Sequence, residues 1–342
     1  MEMLYQPIQY RHFTSRWHTI KCQRLRYYHV LARKICIILV LCLAAFSASA
    51  QYDPHFAHYW AMETSYNPAA AGKEAKLNIV GAYAHSFAGF ENNPRTMYVS
   101  ADMPFVFLNS VHGAGLHFMN DKIGLFSHQR IALQYDLQKP LFGGTINVGV
   151  QAGLLIENFN GSDIELPEDP TDDAFSKSEV KGQQLDLAVG LYYKHGPWYL
   201  GASVLHLNAP KVELGETNEI NIDRTYYFTA GYNIKLRNPF LTIHPTAMFK
   251  YDGTAYRGDV TARLVYTHDN KMFYAGVGYS PTNSVTAYLG GSLHGVHIGY
   301  SYEMYTGGIS LGNGSHELCV KYQTDINLVK KGKNKHKSVR IL

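Results

Sequence analysis

From Thr145 to Ile156 the chain alternates with period two. Ile146, Val148, Val150, Ala152, Leu154 and Ile156 fall on one parity, and Thr145, Asn147, Gly149, Gln151 and Gly153 on the other. Successive side chains of an extended chain point to opposite faces, so this segment is a strand with one apolar and one polar face. The same period recurs along most of the sequence, with no helical pattern of comparable length. A soluble two-sheet domain would alternate as well. Against it stand a mean hydropathy of only −0.19, many Gly, Ser and Asn residues at polar-face positions, and no Cys-Trp-Cys core marker. Placed behind an export signal, the alternation predicts an all-β chain, a transmembrane antiparallel β-barrel of the outer membrane.

The export signal lies at residues 35–50. An apolar run, Ile35 to Phe46, follows Arg33 and Lys34 and precedes Ser47-Ala48-Ser49-Ala50, the small-residue pattern of a signal-peptidase site, with cleavage expected after Ala50. The run is too short to span a bilayer as a helix. Acylation at Cys42 is disfavoured because Leu41 stands where a small residue is required. Residues 1–29 are long for the basic part of a leader and read as a mis-assigned start rather than a domain, and residues 1–50 together form the leader. Beyond them the chain divides into an N-terminal lead-in or plug segment over 51–76, a barrel over 77–323 and a basic tail over 324–342.

Taking away the leader reverses the apparent charge. Residues 1–50 hold seven of the 31 Lys and Arg and one of the 27 Asp and Glu, so the remainder is acidic by two charges. Six of its bases, Lys330, Lys331, Lys333, Lys335, Lys337 and Arg340, crowd into the tail, which reads as a solvated end or a docking strip for an acidic partner or lipid head groups. No nucleic-acid role follows from such a balance. Three of the four cysteines also belong to the leader, and Cys319 alone offers neither a disulfide framework nor a thiolate metal site.

Fourteen strands can be counted, the first Leu77 to His85 and the last His316 to Gln323, an even number as a closed antiparallel ring requires. Turn signals separate them, including Phe142-Gly143-Gly144, Gly196-Pro197 and Asn238-Pro239. The longest interruption, Glu157 to Lys181, reads as a long rim loop. Parity places Ser301 and Glu303 in the lumen opposite Tyr300 and Tyr302, and Gln184 and Asp186 in the lumen opposite Leu185, Leu187 and Val189. For Gln51 to Gly72, which carries Phe56, Tyr59, Trp60 and Tyr66, three readings stand: a plug in the lumen, an extension toward a periplasmic partner, or a lead-in packed under the rim.

Chemical motifs are sparse. The sequence holds no G-x-S-x-G, H-E-x-x-H, P-loop or C-x-x-C, and no catalytic, cofactor or metal residues are assigned. His294 with His297, and His55 with His58, lack a third ligand at fixed spacing and read as solvated or lumen-lining side chains. Ser315-His316-Glu317 invites a catalytic reading, but neighbours in a strand face opposite ways, so His316 cannot serve Ser315 without a bulge. A structural role across the seam between last and first strands fits His316 and Glu317 better.

Seven short motifs then occur in order. They are Q-Y-D-P-H-F-A-H-Y-W from Gln51 with N-P-A-A-A-G ending at Gly72; Pro94-Arg95-Thr96; Asp121-Lys122-Ile123-Gly124; Trp198 to Ser203 with His206-Leu207; Ile298 to Glu303; and Ser315 to Leu318. Together they resemble the PorP/SprF family of the type IX secretion and gliding machinery of Bacteroidota, over essentially all of Gln51 to Gln323. Phe87, where the family often has Trp, and Glu303, where it has Asp, are departures. The resemblance implies a non-enzymatic barrel without cofactors that assists export or surface attachment of a cargo or adhesin protein and contacts periplasmic secretion components as well as the bilayer. It marks Asp53, Pro54, Phe56, Asn67, Pro68, Gly72, Tyr300, Ser301, Tyr302, Glu303, Ser315, His316 and Glu317 as candidate structural or partner-contacting residues. The fold alone also serves a porin-like channel or small-solute transporter.

Overall fold

The computed structural model describes residues 52–161, 179–215, 218–269, 271–307 and 313–328. The leader with its cleavage site, most of the Glu157 to Lys181 loop and most of the basic tail lie outside them. The wall strands are β1 (Lys76–His85), β2 (Arg95–Phe107), β3 (Ser110–Ile123), β4 (Phe126–Leu141), β5 (Gly144–Asn160), β6 (Glu179–His195), β7 (Trp198–Leu205), β10 (Thr225–Tyr232), β12 (Leu241–Tyr251), β13 (Tyr256–His268), β14 (Lys271–Ser280), β15 (Ser284–Leu293), β16 (Val296–Tyr305) and β17 (Ser315–Asp325). Two-residue β11 (Ile234–Lys235) continues β10 past Asn233 along the same neighbour. A separate hairpin, β8 (Lys211–Leu214) with β9 (Asn218–Asn221), sits in the β7–β10 connection.

Each wall strand pairs antiparallel with its neighbours, and β1 pairs with β17 over Lys76↔Asp325 to His85↔His316. The sheet therefore closes into a ring of fourteen strands. Closure is what the bilayer demands, because a strand edge inside hydrocarbon would leave a row of peptide groups without partners.

Parity assigns the faces. On β4, Ile131, Leu133 and Tyr135 are exposed outward while Arg130, Ala132, Gln134 and Asp136 are buried inward. On β5, Val148 and Val150 face out and Asn147 and Gln151 face in. The expected placements of Ser301, Glu303 and Asp186 inward, and of Tyr300, Tyr302, Leu185 and Val189 outward, hold as well. Gln184 is exposed, and its amide reaches the carbonyl of Lys211 in the β8–β9 hairpin.

The two rims differ. At one, strands join through tight turns, with consecutive left-handed residues at Leu108-Asn109, Phe142-Gly143 and His294-Gly295, the dihedrals of two-residue hairpins whose twist matches the sheet. β1 begins and β17 ends at this rim. The other carries the longer connections, including 161–178 and 206–224. Short turns and both barrel ends mark the periplasmic rim of an outer-membrane barrel, and long loops the outer one.

Where the structure departs from the sequence reading, strands are mostly longer, β4 by five residues and β5 by five. Polar ends such as Glu157 and Asn158 stay in the ladder after the apolar alternation has stopped. The β8–β9 hairpin leaves no mark in the periodicity, because four-residue strands carry too short a pattern.

The outward face predicts a depth-dependent penalty. Leu289 lies mid-strand on β15 and is 63% exposed, so Leu289→Arg should destabilise the folded barrel by about 2–4 kcal/mol, measured by reversible denaturation in lipid vesicles.

Candidate functional site in the barrel lumen

Residues 52–72 touch nearly every wall strand. Thr64 bonds Tyr98 on β2, and Gly113 on β3 lies against Ala71. The Thr64 carbonyl accepts from Gln134 on β4, and the Ala69 carbonyl from Asn147 on β5. Asn67 donates to Leu191 on β6, and Ser203 on β7 donates to the Tyr66 carbonyl. Tyr59 reaches Thr246 on β12 and Thr261 on β13. Trp60 packs on Tyr288 of β15, and His58 meets Glu317 of β17. One short segment can meet a closed ring from all sides only from within. Phe56, Tyr59, Met62, Tyr66, Ala69, Ala70 and Ala71 are all buried, and Met62 to Gly72 is buried throughout, while Tyr52, Pro54, His55, Trp60 and Ala61 are half-buried.

Its local structure follows from its sequence. Asn67 accepts from the Ala69 amide as the cap of a single 3₁₀ turn, Pro68–Ala70, whose first position suits proline. A second turn, Glu63–Ser65, precedes it. Gly72 then reverses the chain with φ +65°, its amide donating to Asp102 (2.9 Å) and its carbonyl accepting from Gln138 (2.7 Å). The wall makes room with glycine. A Cβ on Gly149 would come within 2.3 Å of the Ala69 nitrogen, and one on Gly190 within 2.0 Å of the Asn67 Oδ1.

Asp53 is the electrostatic hub. Its Oδ1 accepts from Arg130 Nη1 (3.2 Å) and lies 3.3 Å from His206 Nε2. Its Oδ2 accepts from the Tyr227 hydroxyl (3.1 Å), and its carbonyl from Lys250 Nζ (2.5 Å). His206 Nδ1 bonds Asp186 (2.8 Å), and Arg130 Nη2 donates to the Ser65 carbonyl (3.0 Å). Beside it Tyr52 and His128 both bond Glu157. Burial alone would raise the Asp53 pKa, but the charge and hydrogen bond of His206, with Arg130 and Lys250, hold the carboxyl well below the usual carboxylate range. A cavity of about 20 Å³ adjoins this hub, space for one water. A hollow of about 700 Å³ lies instead at the outer wall, where small Ala202, Ala230 and Ala247 sit among Leu200, Phe228 and Phe249. Its apolar lining suits lipid chains and holds none of the hub residues.

The candidate residues divide into groups. Asp53 and Asn67 anchor the segment as described, Pro68 covers Gly149, Phe56 packs against Tyr98 (5.6 Å between rings), and Pro54 lines the small cavity. Glu317 accepts from the amides of Ala57 (2.7 Å) and His58 (2.9 Å) and bonds His58 Nδ1 (2.7 Å). Glu303 meets Arg257 (2.7 Å) and Ser284. Ser301 is buried in the lumen, while Tyr302 faces outward. Ser315 accepts from the Phe87 amide (3.0 Å), and Phe87 stacks on Tyr305. His316 faces out and bonds the Tyr300 hydroxyl (2.7 Å). Glu317 and His316 stand in the seam ladder opposite Ala84 and His85 of β1, while their side chains turn elsewhere, Glu317 to the N-terminal segment and His316 to β16. The three side chains of Ser315-His316-Glu317 thus serve three separate contacts.

Sequence reasoning placed Asp186 in the lumen without its partner and missed Arg130, Tyr227 and Lys250. These three sit at inward parity within strands the alternation marks, and for Arg130 and Lys250 a charge on the wet face is the available signal. His206 was noted only as part of a motif.

The model of the type IX secretion system membrane protein PorP/SprF family matches residues 48–322. The chain belongs to this family. No curated protein matches it in sequence. Among solved structures it is similar to the CymD monoaromatic hydrocarbon channel, at 11% identity and TM-score 0.50, covering 79% of this chain and 94% of that one. A FadL homologue of Pseudomonas aeruginosa gives 11% and 0.40, covering 74% and 89%. At such identity the likeness to solved barrels concerns the fold.

Two predictions follow from the geometry. Asp53→Ala leaves Arg130 and His206 without their shared buried carboxylate and should cost about 3–5 kcal/mol, read from the temperature at which the folded band is lost on electrophoresis. Folded Asp53 titrates below the unfolded value near 3.9, so its contribution is complete above that value and falls only as pH drops toward the folded pKa. Titration of the carboxyl itself therefore adds nothing to the Asp53→Ala deficit between pH 7 and pH 5, and because Asp53 also holds His206 above its ordinary pKa, the deficit should be no smaller at pH 5 than at pH 7. Gly149→Ala should cost about 1–3 kcal/mol by overpacking against the Pro68–Ala70 turn, checked in the same assay.

Proposed function

We propose that this outer-membrane barrel is a non-enzymatic accessory of the type IX machinery that assists export or surface attachment of particular cargo proteins. In this reading it acts as an anchored, closed scaffold whose periplasmic rim contacts secretion components and whose outer loops meet cargo. Family membership supports the machinery. The observation that carries the scaffold role is the lumen itself, where residues 52–72 are held by hydrogen bonds to β2, β4, β5, β6, β7, β12, β13 and β17. A diffusion pathway needs an interior lined by side chains and water, and this interior is occupied by packed side chains.

Affinity purification from native outer membranes, paired with the surface proteome of a strain lacking the protein, tests the reading. Recovery of secretion components together with loss of particular surface proteins is expected. An unchanged surface proteome, or steady ion conductance of the purified barrel in a planar bilayer, would sink it.

A further inference from the structure

Two turns at the periplasmic rim carry the wrong residues for their geometry. Tight two-residue hairpins take Asn, Asp or Gly because both central residues need positive φ. Here Leu108 (φ 46°) and Phe142 (φ 45°) occupy the first position, and they are 79% and 88% exposed. Strain of this kind persists only where the surroundings fix it. For Phe142 they do: the Tyr193 hydroxyl donates to the carbonyls of Leu141 (3.1 Å) and Phe142 (3.4 Å). The two hairpins are neighbours, since β3 pairs with β4, and Lys139 Nζ donates to Ser110 Oγ between them.

We propose that Leu108 and Phe142 form a docking anchor for a periplasmic protein presenting an apolar cleft bordered by carboxylates. The border is inferred from charge. Lys139 and Lys194 are exposed beside the two tips, while residues 104–112, 137–145 and 192–198 contain no Asp or Glu. Apolar tips are unevenly spread on this rim. Leu108 and Phe142 stand on adjacent hairpins, Phe240 (42% exposed) lies in the β10–β12 connection, and the turns at Gly196-Pro197 and His294-Gly295 have none, whereas anchoring in the head-group layer would place them around the whole ring. The arc of Leu108 and Phe142 is also where the N-terminal segment leaves the lumen, with Gly72 against Met103 and Gly113, so a partner there sits beside the stretch that joins the lumen segment to β1. Paired apolar anchors with a charged rim are how compact interfaces concentrate their affinity. The proposal rests on the periplasmic assignment of the short-turn rim and gives the scaffold reading a partner surface.

The test uses a photoreactive benzoyl-phenylalanine at position 142, with position 294 as control, in living cells. A Leu108→Asn/Phe142→Asn variant accompanies it. Because asparagine suits the left-handed conformation, and Phe142→Asn creates the favoured Asn-Gly turn, the double variant should fold with at least the parent's heat resistance. The expected result is one protein adduct from 142 and none from 294. The purified adduct partner should bind the double variant at least tenfold more weakly, and binding to the parent should weaken as salt is raised. Adducts from 142 confined to phospholipid or to a second copy of this chain, or unchanged affinity of the double variant, would overturn the anchor. An unchanged surface proteome with an intact 142 adduct would reject the accessory role while leaving the anchor standing.

Discussion

A fourteen-strand ring closed by hydrocarbon outside must also be completed inside. Closure satisfies the backbone of the wall but leaves an interior too wide for wall side chains alone to fill. The chain resolves this with its own residues 52–72. The segment brings its own unpaired peptide groups, so filling the lumen works only if the wall supplies donors and acceptors at the right heights. Glu317 takes two successive amides, Asn147, Gln134 and Ser203 take carbonyls, and glycines at 113, 149 and 190 admit the backbone at close range. Remove that match and the polar parity of every strand faces an unfilled space.

The Asp53 hub shows how far the arrangement goes. Burying a carboxylate is costly unless it is paired and hydrogen-bonded, and Asp53 collects partners from β4, β10 and the His206 corner at once, while its carbonyl engages Lys250 on β12. Such a cluster contributes specificity as much as stability: charges from separate strands are satisfied together only when the segment occupies one position. The barrel therefore has a defined interior, which suits a scaffold that must present fixed rims.

Much of this was legible in the sequence. Period-two alternation gave the ring, because a half-lipid, half-polar wall repeats its rule in every strand. The strand ends were not legible where polar residues such as Glu157 stay in the ladder above the apolar band. The β8–β9 hairpin escaped for want of length. The choice among plug, extension and lead-in for 51–72 was undecidable from the text, since Asp53, His58 and Asn67 are polar residues whose partners lie 77, 259 and 124 positions away. Glu317 illustrates the limit: parity separates it from His316, but only the fold shows that a backbone segment meets its carboxylate.

Hydrogen exchange of the purified barrel in lipid vesicles, read peptide by peptide, tests the filled lumen most directly. The account predicts that the amides of 56–72, including Ala57 and His58 bound by Glu317, exchange as slowly as those of β4 and β5. Exchange of this segment within seconds, at the rate of an exposed loop while the wall strands stay protected, would contradict it.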